Sequence, residues 1–117
     1  MKYSLVLLLL LFQLLSVAQK PKPGTYIFNY CDLEYNMCLG PCKVVIKNDS
    51  IFIYATKELS AKITFTKEGD VIDKGLILKH KSGKWIVAHS RKDADTDEIV
   101  YDGPAIIDLV KKQFWRY

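Results

Sequence analysis

The sequence predicts an all-β protein: a single small antiparallel meander of about six to eight strands, closed into a barrel or sandwich, with little helix. Three observations predict it. Short segments of alternating apolar and polar residues succeed one another at close spacing. Turn residues separate them at Asn48-Asp49, Lys67-Glu68-Gly69-Asp70 and Ser82-Gly83. No strand–helix–strand unit can be read, which sets aside a dinucleotide-type fold. At 117 residues the chain has room for one modest core.

Residues 1–18 read as a signal peptide. Met1-Lys2 is a positive start, Leu5–Leu15 is apolar except for Gln13, and Ser16-Val17-Ala18 offers small residues for cleavage. A spanning helix needs ~20 apolar residues, and the run ends short of that at Gln19-Lys20-Pro21-Lys22-Pro23. The expectation is a cleaved leader, a polar tail over 19–23, and one β-rich domain over 24–117. The mature protein is then secreted or periplasmic, with no membrane span.

The elements follow in order. Thr25–Tyr30 alternates, with Tyr26, Phe28 and Tyr30 on one side. Residues 31–42 read as a connector with one helical turn around Asp32–Met37. Lys43–Lys47 and Ser50–Ala55 form a hairpin about Asn48-Asp49. Its register pairs Lys47 with Ser50 and Ile46 with Ile51, which gathers Val44, Ile46, Ile51 and Ile53 on one face. The other face carries Lys43, Val45, Phe52 and Tyr54.

Lys57–Ser60 is a connector and Ala61–Thr66 another strand. Leu76–His80 and Lys84–His89 make a second hairpin over a two-residue Ser82-Gly83 loop. Counting back pairs His80 with Trp85 and Leu78 with Val87, so Leu76, Leu78, Trp85 and Val87 share a core face. Residues 90–97 are a polar loop and Glu98–Tyr101 a short strand. At the end, helical spacing of Ile106, Ile107, Val110 and Phe114 competes with a hairpin of Ala105–Leu109 and Gln113–Tyr117. The β-rich company favours the hairpin.

Three cysteines lie close together, Cys31, Cys38 and Cys42. Outside the cytoplasm a disulfide is expected. Cys31 ends one strand and Cys42 begins the next, so Cys31–Cys42 is the favoured pair. Closing such a loop would add about 3 kcal/mol. Cys38 is then left over and could link two chains. The spacing Cys-x6-Cys-x3-Cys is no usual zinc arrangement.

The remaining polar features are weighed in turn. Asp93-x-Asp95-x-Asp97-Glu98 opens like an EF-hand loop, but Glu98 stands at the turn glycine and Pro104 at the closing glutamate. A solvated acidic loop is therefore expected over calcium. His80 and His89 are the only histidines and are read as half-buried or rim residues. Asn48-Asp49-Ser50 is a glycosylation sequon, and Asp49-Ser50-Ile51 resembles an acceptor of bacterial O-glycosylation. Phe52 and Tyr54, opposite the aliphatic face, offer an aromatic surface for a sugar or peptide. Lys81, Ser82, Gly83 and Lys84 form a protruding contact loop.

Seventeen Lys and Arg against thirteen Asp and Glu give +4, too small and too mixed for a dedicated nucleic-acid binder. No phosphate loop, zinc signature or nucleophile elbow is present, and no cofactor is expected. The expected function is non-catalytic binding, of an inhibitor type, on another exported or envelope protein. A small hydrolase or thiol enzyme is the first alternative, and a calcium- or sugar-binding module the second. The hydrolase or thiol enzyme needs His80 or His89 close to a carboxylate or to Cys38.

Overall fold

The computed structural model describes residues 20–97 and 103–117. The leader over 1–18 and the short strand expected at 98–101 lie outside these residues. Within them seven strands form a closed barrel in chain order: β1 (Gly24–Asp32), β2 (Met37–Lys47), β3 (Ser50–Ala55), β4 (Val71–Lys79), β5 (Trp85–Ala88), β6 (Ala105–Asp108) and β7 (Gln113–Arg116). Each strand runs antiparallel to the one before it. An odd number of strands in such a meander must close with a parallel pair, and β7 pairs β1 in parallel, Tyr30 opposite Phe114. Closure through β7 and β1 gives every strand a neighbour on both sides over part of its length.

The barrel interior is filled from alternate positions. Phe28, Val44, Ile46, Ile51, Ile53, Ile77, Val87, Ile107 and Phe114 form one buried cluster, with Tyr26, Tyr30 and Trp85 packed against it. The β2–β3 hairpin has the register its alternation predicts, Lys47 opposite Ser50 through Val44 opposite Ile53. Its four aliphatic residues are all buried. Asn48, at φ 54°, takes the left-handed turn conformation that asparagine tolerates.

The segment over 31–42 is not a connector with a helical turn. β1 runs on to Asp32 and β2 begins at Met37, so the two strands meet in a tight turn. This corrects the cysteine pairing. A bulge between Tyr30 and Cys31 sets Tyr30 opposite Gly40 but Cys31 opposite Cys38. The disulfide is Cys31–Cys38, and Cys42 is the free thiol. Cys42 lies opposite Phe28, three pairs away from Cys31, inside the barrel cluster to which Cys31 does not belong. Cys38 is consumed within the chain and is not spare for linking two copies.

Ala61–Thr66 is not a strand. A short helix α1 (Lys57–Ser60), capped by Thr56 Oγ1 accepting from the Leu59 N–H, leads into a run of turns. Leu59 is fully buried and pins the excursion to the core. Phe65 has φ 62° and is fully exposed, a conformation no strand residue adopts.

The β4–β5 hairpin forms, with its register one residue away from expectation. Lys79 faces Trp85, Leu78 faces Ile86 and Ile77 faces Val87. The cause is the loop. The His80 N–H donates to the Lys84 carbonyl at 2.8 Å, so three residues, not two, make the turn, with Gly83 at φ 94°. Ile77 therefore points into the barrel in place of Leu76 and Leu78. On the outer face Ile86 and Ala88 are buried too, where the 3-10 helix Arg91–Asp95 packs on β4 and β5. Gly75 is required here: a Cβ would lie 2.3 Å from the Ala88 carbonyl oxygen.

The C-terminal segment is the hairpin β6–β7, Ile107 opposite Phe114. The Arg116 guanidinium reaches beyond its neighbours to the Ile72 carbonyl on β4, at 2.7 Å. Among the described residues no helix is long and apolar enough to cross a membrane.

Candidate functional site

A cleft of about 570 Å³ lies beside β6 and β7. Three turns frame it. The β4–β5 turn contributes Gly83, Lys84 and Trp85, the β6–β7 turn Leu109 and Val110, and the β1–β2 turn Leu33 and Asn36. The lining strands add Ile106, Ile107, Asp108 and Trp115. Trp85 opposes Ile107 in the row that packs on the core, whereas Trp115 opposes Ile106 in the outward row. The cleft thus takes residues from both faces of β6. Its volume and its apolar lining with few polar groups are those of a ligand site.

Local bonds hold these residues. The Leu33 N–H donates to the Arg116 carbonyl at 2.9 Å, which docks the β1–β2 turn against β7. The Trp115 indole N–H donates to Gln113 Oε1 at 3.1 Å. Asp108 Oδ1 accepts the N–H groups of Val110 and Lys111 at 3.0 and 2.9 Å and fixes the β6–β7 turn. Trp85 differs. Its indole N–H is buried, with no hydrogen-bond partner among the described residues. Such a group costs ~1–3 kcal/mol, and the residue that carries it lines the cleft.

The expected contact loop is only in part a free projection. Lys81, Ser82, Gly83 and Lys84 are all exposed. However, the Lys81 N–H donates to the Ala94 carbonyl and its ammonium pairs with Asp97 at 2.8 Å. His80 sits beneath the loop, 3% exposed. Its Nδ1 accepts the Ser82 N–H at 3.1 Å, which places the ring proton on Nε2, facing the Thr96 carbonyl at 2.8 Å. His80 is thus a buried clamp between the turn and the 90–97 loop. Only Gly83 and Lys84 of the four reach the cleft.

Phe52 and Tyr54 lie on the outer face of β3 as expected. Their rings stack at 6.4 Å between centroids, and Lys43 Nζ lies 5.6 Å from the Tyr54 centroid. They are far around the sheet from the cleft strands and share no lining residue with it.

Two of the three carboxylates of the 93–97 loop are turned to separate structural tasks. Asp93 Oδ2 accepts the N–H groups of His89 and Ser90, and Asp97 pairs with Lys81. Among the described residues no three His, Cys, Asp or Glu side chains are grouped to hold a metal. His89 is exposed, and its Nε2 meets Asp73 Oδ1 at 3.1 Å. That is the His–carboxylate contact a hydrolase needs. Among the described residues no hydroxyl or thiol bonds to the His89 ring. Burial pushes the Cys42 thiol up to about 12, so it stays protonated and unreactive. Burial likewise raises the Tyr30 hydroxyl, against the lowering effect of Arg116.

No protein-family model matches the chain, and no curated protein or solved structure matches it. The cleft was not anticipated from the sequence. Trp85 was assigned to the core and Trp115 to a terminal strand. One signal was available: the chain has two tryptophans, and both line the cleft.

Proposed function

We propose that this chain is a small exported binding domain, non-catalytic and of an inhibitor type, that engages another extracytoplasmic protein through the Trp85–Trp115 cleft. One observation carries it. The barrel interior is closed and filled, yet both tryptophans are spent at the surface concavity, where an aromatic anchor contributes most to recognition. Lys84 and Asp108 at the edge supply opposite charges for orientation. The Cys31–Cys38 disulfide fits an oxidising compartment, a periplasm or beyond.

The test is site-specific photocrosslinking in the native envelope or medium. A benzophenone side chain at Val110, in the cleft, should capture a discrete protein. The same group at Phe65, at the other end of the barrel, should not. With the captured protein purified, Trp115→Ala should weaken binding at least tenfold. Equal affinity of that variant, or capture only from position 65, would overturn the assignment. The Asp73–His89 contact keeps a hydrolase as the second reading. It requires that His89→Ala abolish turnover of some ester or glycoside substrate, with binding through the cleft unaffected.

A further inference from the structure

The two ends of the barrel differ in charge. Because the strands alternate in direction, the β2–β3, β4–β5 and β6–β7 turns and the approach to β1 share one end. That end is ringed by Lys22, Lys47, Lys79, Lys84, Lys111 and Lys112, all exposed and, among the described residues, outside any ion pair. The carboxylates nearby are engaged. Asp49 pairs with Lys20, Asp97 pairs with Lys81, and Asp108 accepts two backbone N–H groups. Within the ring lies a pit of about 230 Å³, with Phe28, Ile46 and Leu109 in its wall and Lys22 and Lys112 at its edge. Val110, 73% exposed, crests the β6–β7 turn beside Lys111. The opposite end is mixed: Lys57, Lys62 and Lys67 alternate with Glu58, Glu68 and Asp70.

We propose that the lysine-ringed end docks on an anionic lipid surface, its lysines meeting headgroup phosphates while Val110 enters the headgroup layer. Two arguments favour lipid over an acidic protein. All six unpaired cations are lysines, compact and strongly hydrated charges without the fork that arginine offers to a single carboxylate. Protein interfaces are depleted in lysine and enriched in arginine, whereas each lysine near an anionic bilayer strengthens attachment about fivefold. An exposed aliphatic tip set among cations is also the composition of an interfacial contact. The ring meets the cleft at Lys84 and Val110, so the variants below leave both residues unchanged, and either assignment can fail without the other.

The experiment is cosedimentation of the natively processed protein with vesicles of phosphatidylcholine containing about 30% phosphatidylglycerol, at about 50 mM salt. Binding is expected there and not to pure phosphatidylcholine, and it should vanish at about 0.5 M salt. The triple variant Lys22→Gln, Lys111→Gln, Lys112→Gln should bind roughly 100-fold more weakly. The triple variant Lys57→Gln, Lys62→Gln, Lys67→Gln has the same net charge and should stay within about threefold of the parent. All six positions are exposed, so both variants should keep the parental thermal midpoint. Absence of binding to the anionic vesicles, or equal loss in the two variants, overturns the proposal. So does full displacement by millimolar inorganic phosphate, which would mark a simple anion site. Preference for soluble polyglutamate over the vesicles would assign the ring to an acidic protein instead.

Discussion

The β2–β3 and β4–β5 hairpins are built from similar residues and behave differently. In the first, an aliphatic face is buried, the face with Lys43, Val45, Phe52 and Tyr54 is only partly covered, and a two-residue turn at Asn48-Asp49 fixes the register. In the second, Leu76-Ile77-Leu78 and Trp85-Ile86-Val87-Ala88 are apolar on both faces, and both faces are covered. Alternation then carries no information, and the register passes to the loop. That loop is set by a buried histidine. The regular hairpin supplies core, whereas the irregular one carries Trp85 and the edge of the cleft. Departures from local rules cluster where the molecule has a surface to present.

The largest effect that can break this contrast is in the regular hairpin. Ile53→Ala removes a fully buried side chain from the central cluster and should cost about 4 kcal/mol, read by urea unfolding. Gly75→Ala tests the irregular one. Its Cβ would meet the Ala88 carbonyl oxygen at 2.3 Å, a backbone atom that cannot rotate away, so a loss of about 3 kcal/mol is expected. A neutral result would mean that the β4–β5 register differs from the one described.

His80→Ala should cost about 2 kcal/mol, because it strands the Ser82 N–H and removes the bond to Thr96. Amide exchange should quicken across 81–84 and 94–96 while Ile46 and Ile51 stay protected. Trp85→Phe should have the smallest cost, within ~1 kcal/mol, since the lost indole N–H had no partner among the described residues. Cys42 has no effect through ionisation at neutral pH. Its pKa is raised in the folded state, so the folded chain keeps a proton that the unfolded chain loses. Stability should therefore fall as pH rises from the ordinary thiol value of 9.0 toward about 12, and a disulfide-forming reagent should label Cys42 only after unfolding.

The all-β class, the meander and the C-terminal hairpin were legible from short alternating segments between turn residues. So was the β2–β3 register. The cysteine pairing was not, because it hangs on one bulge after Tyr30 that moves Cys38 opposite Cys31. Ala61–Thr66 alternates as a strand would, yet Phe65 occupies a left-handed turn held by the capped helix before it. The cleft was invisible for a different reason. Trp85 and Trp115 come to line one cleft only because β6 lies between β5 and β7. The charge asymmetry was hidden likewise, since its lysines belong to four separated stretches of chain.

The central claim is that the tryptophan cleft is where this domain binds. Both tryptophans line it, so tryptophan emission, excited where tyrosine does not absorb, reports on the cleft. Titration with the crosslinked and purified partner should shift that emission to the blue, with the midpoint found by calorimetry. A complex that forms at the same affinity with no change in tryptophan emission would contradict the claim.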